Sequence, residues 1–237
     1  MRIEVLSPDA DALGEVYAQL LRPAFPADEL ESFESLRDGM DSGSVEVVCG
    51  FQETVPVTVA VGEWFEASRV MLLGYMATAP AARGQGFGRK LYRHVITSWT
   101  RRHSPCLVLA EVEHPAYHSG SPAYGDPSRR LQFYGEQGAR IIELPYFQPA
   151  LRRGAARVPG MLLLLLTSHP PGAQGAGELC IPRAQLRDFI IEYLMQTEGS
   201  LGNDLQTRNL LRPLNQTAKI RTFVTDDLQR IPVCQPG

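Results

Sequence analysis

Lysine is almost missing from this sequence. Of 23 basic residues only Lys90 and Lys219 are lysines; the others are arginines. Against 26 acidic residues they leave a formal net charge of −3, so no excess of positive charge calls for a nucleic-acid partner. Long apolar runs are missing too. The longest, Met161 to Leu166, is far short of the about 20 residues a membrane span needs. The first residues carry Glu4, Pro8 and Asp9 where a signal peptide has an apolar stretch. Cysteine is scarce. Cys49, Cys106, Cys180 and Cys234 are scattered, with no CxxC pair, which favours reduced thiols in a cytoplasmic protein over a disulfide framework or a metal site. What is present is ordinary globular material, 44% apolar and 21% charged. At 237 residues the chain holds one large domain, or one domain and an appendage.

The pattern begins with a short alternating strand at 2–6. A helix capped at Asp9 or Asp11 follows, with Leu13, Val16, Tyr17, Leu20 and Leu21 on one face. A second helix is expected over 27–40, with Leu30, Phe33, Leu36 and Met40 as its apolar positions. Valine-rich and aromatic segments at 45–51 and 55–65 read as strands, and 70–77 as a strand buried on both faces. Phe87, Leu91, Val95 and Trp99 recur every four residues in a helix expected from Gly86 to His103. A strand is expected at 106–113, then a polar loop to 125. Asp126-Pro127 reads as the N-cap and first position of a short helix that Gly138 closes. Strands follow at 139–145 and 159–167. The proline- and glycine-rich stretch 170–177 reads as a linker between a first domain, 1–169, and a C-terminal helical appendage, 178–237. The appendage carries an apolar stripe of Leu186, Phe189, Ile190, Tyr193 and Leu194. A lone helix of that length is marginal in water, so the stripe is expected to dock on the first domain or on a second copy in a homodimer.

One segment speaks of chemistry. Arg83-Gly84-Gln85-Gly86-Phe87-Gly88 joins a buried strand to a helix. A helix start has unpaired N–H groups and a partial positive charge, glycines let a phosphate approach the backbone, and Arg83 adds a forked cation. No Lys-Ser or Lys-Thr follows, which excludes a P-loop; the GxGxG spacing differs from the dinucleotide fingerprint. His114 and His118 are spaced like helix metal ligands, but Pro115 and Ser119-Gly120 favour a loop, and no metal is expected.

The stretch from Ala77 to Gly88 resembles the acyl-CoA pyrophosphate motif of the GNAT N-acetyltransferase superfamily, [QR]xxGx[GA]. Phe133-Tyr134-Gly135-Glu136-Gln137-Gly138-Ala139 is similar to that family's FYxxxGF signature. Pro127 stands where the family often has asparagine, and 114–128 is longer than the family's segment. The resemblance covers residues 1–168. It implies a mixed α/β (α+β) fold with a mostly antiparallel central sheet and helices on both faces. It also implies transfer of an acetyl group from acetyl-CoA to a primary amine of a small molecule or peptide. A longer acyl donor, or acyl-CoA binding without turnover, is the alternative.

Carried over residue by residue, the resemblance assigns the pyrophosphate to Arg83, Gly84, Gln85, Gly86, Phe87, Gly88 and Arg89, and pantetheine to Met76, Ala77 and Thr78. Tyr134 becomes the acid for the departing thiolate. An amine at neutral pH also needs a proton acceptor. Glu111 and Glu113 lie two apart on one face of their strand, so Glu111 is expected as the base and Glu113 as a substrate contact. Tyr75 either lines the acceptor site or packs. Tyr146-Phe147 either shapes an acceptor pocket or packs.

Overall fold

The computed structural model describes residues 1–27, 29–121, 124–152, 155–168, 179–216 and 219–234. Its contacts divide the chain into two compact units, one of residues 1–64 and 71–104, the other of residues 65–70 and 105–237.

In the first unit the valine-rich segments pair as their alternation demands. Strands β1 (Arg2–Val5), β2 (Val45–Gln52), β3 (Val55–Phe65) and β4 (Val70–Thr78) lie side by side in that order. β1–β2 and β2–β3 are antiparallel, with Ile3 opposite Gly50 and Val47 opposite Val61. The first helical segment begins as α1 (Asp11–Val16) and continues as a π-helical turn over Tyr17–Leu21. Its cap position is Ala10, without a side-chain bond, and Asp11 is the first helical residue rather than the cap. The second helix, α2 (Phe33–Asp41), starts six residues later than the apolar spacing suggested. Ser32 caps it by accepting the Ser35 N–H at 3.0 Å. Leu13, Val16, Leu21, Leu36, Val47, Val59 and Tyr75 form the core beneath these helices. Helix α3 (Phe87–His103) buries Leu91, Val95 and Trp99 but leaves Phe87, at its first position, half-buried, and the Trp99 indole donates to Glu46 at 2.9 Å.

In the second unit the strand order is β5 (Leu107–Glu113), β7 (Met161–Ser168), β6 (Arg140–Ile142), β9 (Lys219–Val224), β8 (Leu179–Pro182). Every pairing is antiparallel; Glu111 lies opposite Leu163 and Ile141 opposite Phe223. β6 is shorter than expected. After Ile142 the chain folds through Pro145, with the Leu144 N–H on Ile142 O and the Tyr146 N–H on Leu144 O. Helix α4 (Pro127–Glu136) starts as its sequence dictates: Asp126 accepts the Ser128 N–H at 2.8 Å.

The C-terminal stretch differs from a purely helical appendage. It supplies α5 (Arg183–Glu198) and α6 (Leu205–Gln216), but also β8 and β9, which continue from β6. The polar alternation Lys219-Ile220-Arg221-Thr222-Phe223 carries only two apolar side chains, too little to mark a strand on its own. Thr225 then lies so close to α4 that a Cβ on Gly135 would stand 2.2 Å from its hydroxyl. Residues 170–177, expected as a linker, lie outside the described residues. All five apolar positions read for α5 are buried. Phe65, the last residue of β3 and part of the second unit, packs edge-on against Phe189 and Tyr193.

Candidate active site

The candidate phosphate-binding segment lies in the first unit. Met76, Ala77 and Thr78 end β4, Arg83 to Gly86 form an exposed turn, and Phe87, Gly88 and Arg89 open α3. The strand end is tied down: the Thr58 hydroxyl donates to Ala77 O at 2.9 Å and meets the Thr78 hydroxyl at 3.0 Å. Arg83 Nε donates to Thr78 O at 3.2 Å, and the Gln85 amide donates to Ala81 O at 2.9 Å. These bonds clasp the turn from both sides. Gly86 at φ +80° occupies a backbone region that a side chain would strain, and no atom lies within 4 Å of where its Cβ would stand. The first backbone bond of α3 runs from the Lys90 N–H to Gly86 O. The helix has no side-chain cap and no acidic residue in its first turn. The leading amides of a helix have no partner within it, and a start without a side-chain cap or an acidic neighbour suits a diphosphate.

Tyr75 belongs to the core of this unit. It is 8% exposed, meets Phe25 edge-on, and its hydroxyl accepts the Glu31 N–H at 3.1 Å. The Tyr17 hydroxyl donates to Glu31 O at 2.7 Å. Burial pushes the Glu31 carboxyl above its ordinary range.

The second unit holds the candidate acid–base groups. Glu111 projects from β5 into a cluster of neutral donors. The Tyr146 hydroxyl donates to its Oε1 at 2.5 Å; the Tyr193 hydroxyl and the Gln148 amide lie 3.3 and 3.4 Å from its Oε2. Burial first, then the Glu111 charge and the hydrogen bond to it, hold the Tyr146 phenol well above its usual pKa, so it stays a donor. Gln148 is placed by backbone bonds in both directions with Val158, 2.9 and 3.0 Å. Its amide nitrogen faces the carboxylate, and its Oε1 is buried without a partner.

Glu113, two residues along the same face, accepts from Arg130 at 2.8 Å and lies 3.7 Å from His118 Nδ1. Arg130 also donates to Tyr124 O. The carboxylate expected to meet a substrate thus already holds a cation. Tyr134, on α4, is buried, and burial pushes its phenol up to about 12, with Arg130 pulling the other way. His114 is buried in the turn after β5, where its Nδ1 accepts the Ala116 N–H; burial lowers its pKa. The His118 ring nitrogen Nε2 lies 2.9 Å from Pro159 O. Among the described residues no group of three or more His, Cys, Asp or Glu is placed to hold a metal.

The structure thus brings Glu111 together with Tyr146, Gln148 and Tyr193, and Glu113 together with Arg130. Gln148 carried no signal in the sequence. Tyr193 carried one: a tyrosine inside an apolar helical stripe has a hydroxyl that needs a partner once buried.

Residues 15–119 match the sequence model of the acetyltransferase (GNAT) family. A GNAT-family protein from Bacteroides thetaiotaomicron, 23% identical, aligns over 70% of this chain and 86% of its own with a TM-score of 0.55. An aminoglycoside 6'-N-acetyltransferase complexed with coenzyme A, 12% identical, aligns over 72% of this chain and 99% of its own at 0.52. A GNAT-like decarboxylase, GphF, in complex with isobutyryl-CoA, 18% identical, aligns over 70% of this chain and all of its own (100%) at 0.51. At these identities the likeness is one of fold. No curated protein matches the chain. No helix among the described residues is long and apolar enough to cross a membrane.

Proposed function

We propose that the protein moves an acetyl group from acetyl-CoA to a primary amine of a small molecule or peptide, by direct attack of the amine on the thioester. The observation that carries this reading is the Glu111 carboxylate, fixed on a buried strand by Tyr146, Tyr193 and Gln148. An alkylammonium titrates near 10.4, so only about 1 in 10³ is a free nucleophile at pH 7. A positioned carboxylate supplies what such an acceptor lacks. In the proposed reaction the amine nitrogen bonds to the carbonyl carbon and an N–H proton passes to Glu111. The carbon–sulfur bond then breaks and the thiolate leaves.

The donor is assigned to residues 76–78 and 83–89. The amides opening α3 and the Arg83 guanidinium would hold the pyrophosphate, and the edge of Met76–Thr78 the pantetheine, with an amide there facing the thioester oxygen. Tyr134 is assigned to the departing thiolate. A phenol near 12 is a weaker acid than a thiol near 8.5 by about 3.5 units, or about 5 kcal/mol. Its role is therefore to donate a hydrogen bond to the thiolate, with water completing the protonation. Glu113 adds negative charge that favours a cationic acceptor, reduced by its bond to Arg130.

The coenzyme A and isobutyryl-CoA complexes of two structural neighbours support a coenzyme A thioester as donor. The second keeps a longer acyl group as the competing reading. Purified protein should release coenzyme A from acetyl-CoA when offered members of a panel of amines, amino acids, aminoglycosides and peptides. Release only from a branched acyl-CoA would favour the longer donor. Tight coenzyme A binding with no release across the panel would favour a non-catalytic binding protein.

A further inference from the structure

We infer that Gln148 selects a primary amine as the acceptor: its side-chain Oε1 takes the second N–H of the attacking nitrogen while the first faces Glu111. The inference rests on reading Glu111 as the base. It concerns an atom that the hold on Glu111 leaves over. Gln148 is 7% exposed, and among the described residues its Oε1 is buried with no hydrogen-bond partner. A buried oxygen left unpaired costs stability, and an apolar side chain of similar size would avoid that cost. The residues before it, Tyr146 and Phe147, are buried, so packing alone does not call for a glutamine here.

The oxygen cannot gain a partner by turning. The Gln148 backbone is bonded in both directions to Val158, at 2.9 and 3.0 Å, and two residues on the Ala150 N–H donates to Glu198 at 3.3 Å. Reversing the amide would set Oε1 against the Glu111 carboxylate and lose the 3.4 Å contact that its nitrogen makes there. Oε1 is therefore held beside the carboxylate. With that contact at 3.4 Å and the two polar atoms of an amide about 2.3 Å apart, Oε1 lies about 4–5.5 Å from Glu111 Oε2. A tetrahedral nitrogen making two bonds of about 2.9 Å joins acceptors about 4.7 Å apart, so one amine can meet both groups. Glu111 is only half-buried, and an acceptor that reaches it arrives next to this amide.

The hydrogen count then sets the preference. A neutral primary amine brings two N–H bonds. As its nitrogen bonds to the carbonyl carbon, one proton passes to Glu111. The other stays on nitrogen, bonded to Gln148 Oε1, and becomes the N–H of the amide product when the thiolate leaves. A secondary amine or a hydroxyl has one hydrogen, which goes to Glu111, and Oε1 stays unpaired. A site that leaves a buried polar group unpaired rejects such analogues.

The test uses the full-length chain as wild type, Gln148→Met, Gln148→Asn and Glu111→Gln. Coenzyme A release from acetyl-CoA is measured with n-butylamine and N-methylbutylamine, and with the fastest primary amine of the panel and its N-methyl form. In Gln148→Met, kcat/KM should fall about 10- to 100-fold for the primary amines and no more than about 3-fold for the N-methyl amines, with the KM of acetyl-CoA unchanged. Its Tm should hold or rise, since the unpaired oxygen is gone. Gln148→Asn keeps the amide but withdraws it by one methylene. It should lose the same preference, and it covers the case of a methionine variant that fails to fold. Equal losses for primary and N-methyl amines would show that Gln148 only holds Glu111, and an unchanged preference would show that it does not touch the acceptor; either overturns the inference. Wild-type turnover in Glu111→Gln would instead overturn the reading of Glu111 as base, and with it the inference built on that reading.

Discussion

The Tyr146 hydroxyl donates to Glu111 Oε1 at 2.5 Å, joining the segment after β6 to the middle of β5. Tyr146 is 1% exposed, so no water replaces this bond if it is removed. Tyr146→Phe should cost about 1–3 kcal/mol of stability, the range for leaving a buried polar group under-satisfied. Turnover should fall as well, because Oε1 is then free to rotate. Urea unfolding and steady-state rates on the same preparation check both; a variant as stable and active as wild type would show that the bond does neither job.

The turn at 83–86 predicts a separation of effects. Arg83→Ala should weaken coenzyme A binding by about 1.5–3 kcal/mol, the range for a hydrogen bond to a charged group. It should also loosen Thr78, whose carbonyl Arg83 holds. Gly86→Val should weaken binding further, since its φ of +80° strains a branched residue and the side chain obstructs a phosphate. Calorimetry with coenzyme A measures both; unchanged affinity in the two variants would move the donor site elsewhere.

Much of this was legible in advance, and the reasons differ by element. The strands at 45–52 and 55–65 were legible as valine-rich runs, and that at 70–78 as a short apolar run, each bounded by turn residues. The Asp126-Pro127 start of α4 was legible because its chemistry is local. Helix α2 starts later than its apolar spacing implies, since Leu30 packs in the core from a non-helical segment and mimics helical spacing. β9 was not legible because its partner β6 lies about 80 residues away and is only three residues long. The same holds for the candidate site. Glu111 was marked by its strand position, but Gln148 and the hydroxyl of Tyr193 acquire meaning only through non-local pairing.

Asp204 predicts a pH dependence. Burial alone would raise its carboxyl, but the Thr207 amide and hydroxyl and Arg157 outweigh it and hold the group well below its ordinary 3.8. A carboxyl depressed in the fold contributes stability above its unfolded value and loses that contribution as pH falls below it. Asp204 is 44% exposed, so solvent screening keeps the contribution under about 1 kcal/mol. Asp204→Asn should therefore be less stable than wild type at neutral pH, with the gap closing below 3.8. A gap that stays constant with pH would assign the loss to the cap of α6 rather than to charge.

Tyr134→Phe should lower turnover by about 10- to 100-fold, the range for losing a hydrogen bond to a charged thiolate, with coenzyme A affinity nearly unchanged. Burst kinetics should show the loss in the acyl-transfer step. Unchanged turnover would reduce Tyr134 to a packing residue of α4.

The most direct test of the account is the pH dependence of acetyl transfer to a primary amine by Glu111→Gln, compared with wild type. The substitution keeps the size of the side chain and removes its capacity to take a proton. The account predicts turnover lower by about 10²- to 10³-fold, loss of the limb on which activity rises as the carboxylate ionises, and coenzyme A binding close to wild type. Wild-type turnover with an unaltered profile would contradict it.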